Sequence, residues 1–228
     1  PKHAVHDFSE KASLSAALEQ QLLDFVSASL PYHAGIEKPW RPIQAGEGYT
    51  KTSVLMHLQQ RFAYGKGLYL ELGCDTGDHF KQVKPGFARS VCVDPRPGGT
   101  RLMTSDMFFD LNPHFEDLEL VLVDGLHAAR QAYRDVENSL FRIVTDGAIV
   151  MHDCNANSES QASYPRRHAF FWTGDVFKAV IALRQRDDID VAVGDFDFGV
   201  AVVLPRRRTS AAPQPPLTEH EVWNMTYA

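Results

Sequence analysis

The stretch Leu68-Tyr69-Leu70-Glu71-Leu72-Gly73-Cys74-Asp75-Thr76-Gly77 decides how the chain is read. Its apolar run has the length of a buried strand, and it passes directly into a glycine turn with Gly73 and Gly77 spaced G-x-x-x-G. A turn of this kind opening a helix lets backbone amides approach a nucleoside-bearing ligand at the helix N-terminus. The same pattern also serves as an ordinary strand-to-helix turn, so the surrounding sequence has to choose between the two.

Working outward, strand and helix patterns alternate. Thr50 to Phe62 reads as a helix leading into the strand. After Gly77 comes a short helix, then a second strand over Ala88 to Val93 that ends on Asp94. A carboxylate at that strand end is where nucleoside-binding folds grip a ribose diol. Thr100 to Thr104 is a candidate third strand, with Ser105-Asp106 as a candidate cap for the next helix. Leu118 to Val123 is the clearest strand and ends in Asp124-Gly125, with His127 just beyond. Ala128 to Val144 follows as a helix with Ala132, Val136, Leu140 and Ile143 on one face, closed by Asp146-Gly147. Ala148 to Met151 is a further buried strand, ending in His152-Asp153. Asp175 to Arg186 reads as helix, and Ile189 to Val193 with Gly199 to Leu204 reads as an antiparallel pair turning at Asp195 to Phe198.

The order predicts an α/β fold: a doubly wound, mostly parallel sheet of about seven strands with the last reversed, plus an N-terminal accessory helix over Leu14 to Leu30. Three segments are expected: residues 1–49 as helix and cover loop, 50–204 as the catalytic domain, and 205–228 as linker and tail. The irregular stretches Pro31 to Tyr49 and Cys154 to Trp172 are expected to lie over the site.

Composition narrows the function classes. The 228 residues carry a formal charge of -6, which offers no broad attraction to nucleic acid or anionic lipid, and no apolar run reaches the length of a membrane span. The triplet Arg206-Arg207-Arg208 is the local exception. Cys74, Cys92 and Cys154 are odd in number and widely spaced, so neither a disulfide framework nor a thiolate zinc site is expected. The start at Pro1 shows no signal-peptide pattern, and the expected setting is the cytoplasm.

V-D-G-L-H from Val123 to His127, the continuation Q-A-Y-R-D-V, I-V-M-H-D-C and G-D-V-F-K from Gly174 to Lys178 give the chain its family resemblance. Over roughly Thr50 to Leu204 it resembles the class I S-adenosylmethionine-dependent methyltransferases, and within them the small-molecule O-methyltransferases of macrocin and mycinamicin type. The resemblance implies a cofactor seated on Glu71, Gly73, Gly77, Asp94 and Asp106, and in many members a divalent ion at the ends of the fourth and fifth strands. Asp94 would then hold the ribose, and Asp106 either faces the adenine or caps its helix. It implies a hydroxylated small molecule as acceptor in natural-product biosynthesis, no nucleic-acid or membrane partner, and is compatible with homo-oligomerisation.

The residue chemistry agrees. S-adenosylmethionine carries a sulfonium and an ammonium and has no phosphate, so Glu71, Asp75, Asp78 and Asp94 suit it where they would repel a pyrophosphate. The turn also lacks the middle glycine of the dinucleotide fingerprint. Asp124 and Asp153 are the expected metal ligands, with His127 as general base. His152 stands where related proteins often carry a carboxylate. It is either a third ligand, which shifts preference from Mg²⁺ towards Mn²⁺, or a hydrogen-bonded core residue. The alternative functions are a nicotinamide-dependent oxidoreductase and a non-catalytic binding protein on the same fold.

Overall fold

The computed structural model describes residues 49–62, 67–167 and 170–206. The expected accessory helix over Leu14 to Leu30, almost all of the first cover loop and nearly all of the tail lie outside these residues.

Helix α1 (Lys51–Phe62) starts in a reciprocal cap, the Thr50 amide donating to Ser53 Oγ at 2.9 Å and the Ser53 amide to Thr50 Oγ1 at 3.3 Å. It leads to β1 (Leu68–Leu72), α2 (Asp78–Val83), a 3-10 turn, β2 (Arg89–Val93), α3 (Ser105–Leu111), β3 (Leu118–Val123), α4 (Ala129–Leu140), β4 (Ile143–Met151), α5 (Phe177–Leu183), β5 (Ile189–Gly194) and β6 (Val200–Pro205). The sheet order is β2-β1-β3-β4-β6-β5, parallel through β4, with β6 antiparallel to both of its neighbours. This is a Rossmann-like, mostly parallel sheet with its last strand reversed.

The continuous apolar runs of β1 and β3 follow from burial on both faces. Leu68, Leu70 and Leu72 pack with Phe108, Val136 and Val180, while Tyr69 packs with Leu55, Leu58 and Phe80 on the opposite face. Period two therefore places Glu71 on the Tyr69 face, inside the protein.

Four expectations change. The described sheet has six strands: Thr100 to Thr104 contributes only a bridge between Arg101 and Val93, because Thr100 and Arg101 spend their amides on the Cys92 carbonyl. The helix expected to run to Val144 stops at Leu140, since the β-branched run Ile143-Val144-Thr145 joins β4, where Ile143 pairs with Leu118. Asp146-Gly147 thus lies within a strand. The cap of α3 is Thr104, whose Oγ1 accepts from the Met107 amide. Finally, Cys74 and Cys92 are disulfide-bonded. Glu71 pairs with Cys92 across β1 and β2, and the turn after Leu72 returns Cys74 to within 6.0 Å Cα to Cα, an approach that an 18-residue separation does not disclose.

Gly73 sits at the centre of this arrangement. Its φ is +90°, and a Cβ there would stand 2.0 Å from the Asp124 carbonyl oxygen. Gly73→Ala is therefore expected to destabilise the protein by about 2 kcal/mol or more in urea unfolding, from backbone strain and the clash together. Gly125→Ala, whose added Cβ meets nothing closer than 3.6 Å, should change stability by less than about 0.5 kcal/mol.

Candidate functional site

The carboxyl ends of β1, β2, β3 and β4 open onto one edge. Asp94, after β2, turns its carboxylate into the glycine turn: Oδ2 accepts from the amides of Cys74 at 2.8 Å and Asp75 at 2.9 Å, and Oδ1 from the Arg96 amide at 2.7 Å. It thus anchors the turn, a role the sequence reading did not assign to it. Glu71 is fully buried; Tyr69 Oη donates to Oε2 at 2.6 Å, while Oε1 has no hydrogen-bond partner among the described residues. Burial pushes the Glu71 carboxyl up to about 7, against the Tyr69 hydrogen bond and with the help of the nearby Asp124 charge. Asp106 is not the helix cap. It accepts from Gln131 Nε2 at 3.0 Å and Arg134 Nη1 at 2.8 Å, which ties α3 to α4.

One strand over, Asp124, His127, His152 and Asp153 come together. His152 Nδ1 lies 3.3 Å from Asp124 Oδ1 and 3.5 Å from Asp153 Oδ2. His127 Nδ1 lies 3.2 Å from Asp153 Oδ2, and its Nε2 lies 3.9 Å from Asp124 Oδ1. Potential ligand atoms of Asp124, His152 and Asp153 all fall within 4.8 Å of one another.

Two members of the cluster escaped the sequence reading. Lys51, at the start of α1, pairs its ammonium with Asp124 Oδ2, and its Nζ lies 3.5 Å from His152 Nδ1. Asp197, on the β5–β6 turn, accepts the Lys51 amide at 2.8 Å and lies 3.4 Å from His152 Nε2. Only the reversed hairpin brings it here. The Asp197 backbone is left-handed at φ +48°, as is that of Phe198 beside it at +60°.

Electrostatics follow from this packing. Burial resists ionisation of Asp124, but the hydrogen bond and charge of His152, with Lys51, outweigh it and hold the carboxyl well below the usual range. His152 is the converse. Burial disfavours its charged form, yet Asp124, Asp153 and Asp197 push it up to about 11. Asp197 is likewise held low, His152 and the Lys51 amide overcoming its burial.

The second cover loop packs directly on the cluster. Trp172 stacks on His127 with ring centroids 4.9 Å apart, and its carbonyl lies 2.9 Å from His127 Nδ1. Gly174, at φ +62°, permits the approach, since a Cβ there would meet the His127 carbonyl at 1.8 Å. Both neighbours of His127 Nδ1, the Trp172 carbonyl and the Asp153 carboxylate, are acceptors. A hydrogen on that nitrogen satisfies them, and in the neutral ring Nε2 then holds the lone pair.

A methyltransferase-domain family matches residues 45–154, the span that holds the glycine turn, Asp94 and the cluster as far as Asp153. No curated protein matches the chain in sequence. Among solved structures, the chain is similar to a Corynebacterium glutamicum protein at 16% identity, with a TM-score of 0.50 and 86% of this chain and 92% of that one covered. It is also similar to the O-methyltransferase from Bacillus cereus in complex with SAH at 12% identity, TM-score 0.51, covering 84% and 91%. At these identities the likeness shows the fold. The methyltransferase-domain match on that fold spans just under half of the chain.

Glu71 makes the site testable through pH. Its carboxyl rises on folding from an ordinary 4.5 to about 7, so the folded state holds a proton that the unfolded state releases. That stability is complete below about pH 4.5 and is lost as pH rises towards 7, by up to about 3 kcal/mol. Urea unfolding between pH 4.5 and 7.5 should show the loss, and Glu71→Gln should reduce it. Asp135, pushed up by burial to about 6, leaves a smaller slope of the same sign.

Proposed function

We propose that the protein transfers the methyl group of S-adenosylmethionine to a hydroxyl of a small metabolite, as do natural-product O-methyltransferases, with His127 as general base and a divalent ion as helper. The observation that carries this reading is the setting of His127. Its Nδ1 faces two acceptors, and its Nε2 lies 3.9 Å from Asp124 Oδ1, on the edge that also bears the glycine turn.

The residues fit the cofactor. The donor set at the turn is acidic, Glu71 Oε1 is a buried acceptor with no partner among the described residues, and the Asp94 oxygens retain lone-pair capacity beyond their three amide bonds. Gly73 to Gly77 would hold the cofactor by backbone, Asp94 would take the ribose and Glu71 would lie beneath the turn. Asp106 would lie towards the adenine, from the position that Gln131 and Arg134 fix. When bound, the cofactor supplies an electrophilic methyl carbon.

The donor set also fits a cation. Oxygens and an imidazole nitrogen within 4.8 Å of one another span one coordination sphere. Asp124, His152 and Asp153 would hold Mn²⁺ or Mg²⁺, which when bound would polarise the acceptor oxygen. For His152 to ligate, it must first release the proton that its three carboxylate neighbours favour. His127 Nε2 takes the acceptor's proton, and Asp153 and the Trp172 carbonyl steady the ring as it becomes charged. The ring of Trp172 shields one face of His127 from water. Localisation in the cytoplasm and a homo-oligomeric state belong to the same reading.

Calorimetric titration should show S-adenosylhomocysteine binding, with Asp94→Ala weakening it by about 1–3 kcal/mol. Absence of binding to the wild-type chain would overturn the assignment. His127→Ala should lower turnover by roughly 10²–10⁴-fold while S-adenosylhomocysteine still binds, with partial recovery at high pH as the acceptor ionises unaided. A rate unchanged by the substitution would remove His127 from the chemistry.

A further inference from the structure

Lys51 is the cluster residue that the mechanism above does not use. Its ammonium rests on Asp124 Oδ2 and lies 3.5 Å from His152 Nδ1, so it stands against atoms of two of the three candidate ligands. Its backbone is fixed independently: the amide donates to Asp197, and α1 is capped by Thr50 and Ser53 and packed through Val54, Leu55 and Leu58. The Lys51 side chain is 12% exposed and that of Asp124 11%, so the pair is largely removed from water. On the far side of the cluster, His152 Nε2 lies 3.4 Å from Asp197 Oδ2, and the His152 side chain is only 10% exposed.

We propose that Lys51 is a tethered resident cation of this cluster and competes with a divalent ion for Asp124, an inference that rests on the metal-binding part of the reading above. The physical reason is exclusion by space and charge. A divalent ion needs carboxylate oxygens at about 2.0–2.6 Å, and an ammonium bound to the same oxygen occupies part of that sphere and repels the incoming charge. The carboxylates of Asp124, Asp153 and Asp197 would repel one another if left alone; His152 lies against all three, and Lys51 adds an ammonium on Asp124 and an amide on Asp197. Its flexible four-carbon stem lets the ammonium swing away while α1 stays docked. Lys51 is thus a positioning residue that sets how tightly, and with what rearrangement, the site takes a metal.

The test is Mn²⁺ binding to the full chain, measured by calorimetry for wild type, Lys51→Met, Lys51→Arg and the double variant Lys51→Met/Asp124→Asn. Lys51→Met should bind Mn²⁺ at least tenfold more tightly than wild type, Lys51→Arg should remain within about threefold of it, and the gain should vanish in the double variant. A second measurement needs no variant. Acetic anhydride labelling read by mass spectrometry should show Mn²⁺ raising acetylation of Lys51 relative to the exposed Lys81. Equal or weaker Mn²⁺ binding by a folded Lys51→Met protein overturns the inference, as does Lys51 labelling that Mn²⁺ leaves unchanged or lowers. Tight Mn²⁺ binding that ignores Lys51→Met refutes the competition alone and leaves the metal reading standing. No Mn²⁺ binding by any of these proteins refutes both, while S-adenosylhomocysteine binding separately decides the methyltransferase reading. Should Lys51→Met fail to fold, the labelling of wild type decides.

Discussion

Backbone pairing at the carboxyl end of the sheet is the constraint on which the site depends. The Gly73 amide donates to the Val93 carbonyl at 2.9 Å, the Asp124 amide to Leu72 at 2.8 Å and the His152 amide to Val123 at 3.2 Å. These bonds carry the ladder one step past the strands and lock three loops side by side. Gly73 is the tightest point, because its missing side chain lets the turn after β1 lie against the Asp124 carbonyl. The glycine turn and the polar cluster are thereby held at a fixed separation, which the proposed in-line transfer between two bound molecules requires.

Around that edge the protein removes several charges from water and offsets the cost by pairing them. Asp124 and Asp153 are buried or nearly so; Asp124 is held ionised beside His152 and Lys51, and Asp153 lies against His127 and His152. Removing one partner from such a set leaves the others as uncompensated charge. Glu71 is the contrasting case: a buried carboxyl with only a neutral phenol as hydrogen-bond donor, which burial pushes up to about 7. One edge therefore holds the charged cluster and a carboxyl of raised pKa on neighbouring strands.

The loop over Cys154 to Trp172 joins these elements to the outside. Its Trp172 both orients His127 and covers it, while Phe170, 88% exposed, and Phe171 present apolar surface beyond. The same segment thus fixes the His127 ring and carries exposed aromatic surface beside it.

The sequence by itself determined the alternation of strands and helices, the reversed terminal hairpin and the edge at which Asp94, Asp124, His127, His152 and Asp153 gather. Those features follow from local periodicity and from the rule that parallel strands end on one side, so they need no knowledge of long-range contacts. Tertiary structure decided the rest. It moved Ile143 to Gly147 from helix to strand because β3 offered a pairing edge, and it reduced Thr100 to Thr104 to a bridge because Thr100 and Arg101 bond to the Cys92 carbonyl. It bonded Cys74 to Cys92 through the register of β1 on β2. Above all, it delivered Lys51 and Asp197 to the cluster, from 73 residues before Asp124 and from a turn after β5. Neither carries a motif, because an ion pair is set by distance in space and leaves no periodic trace along the chain.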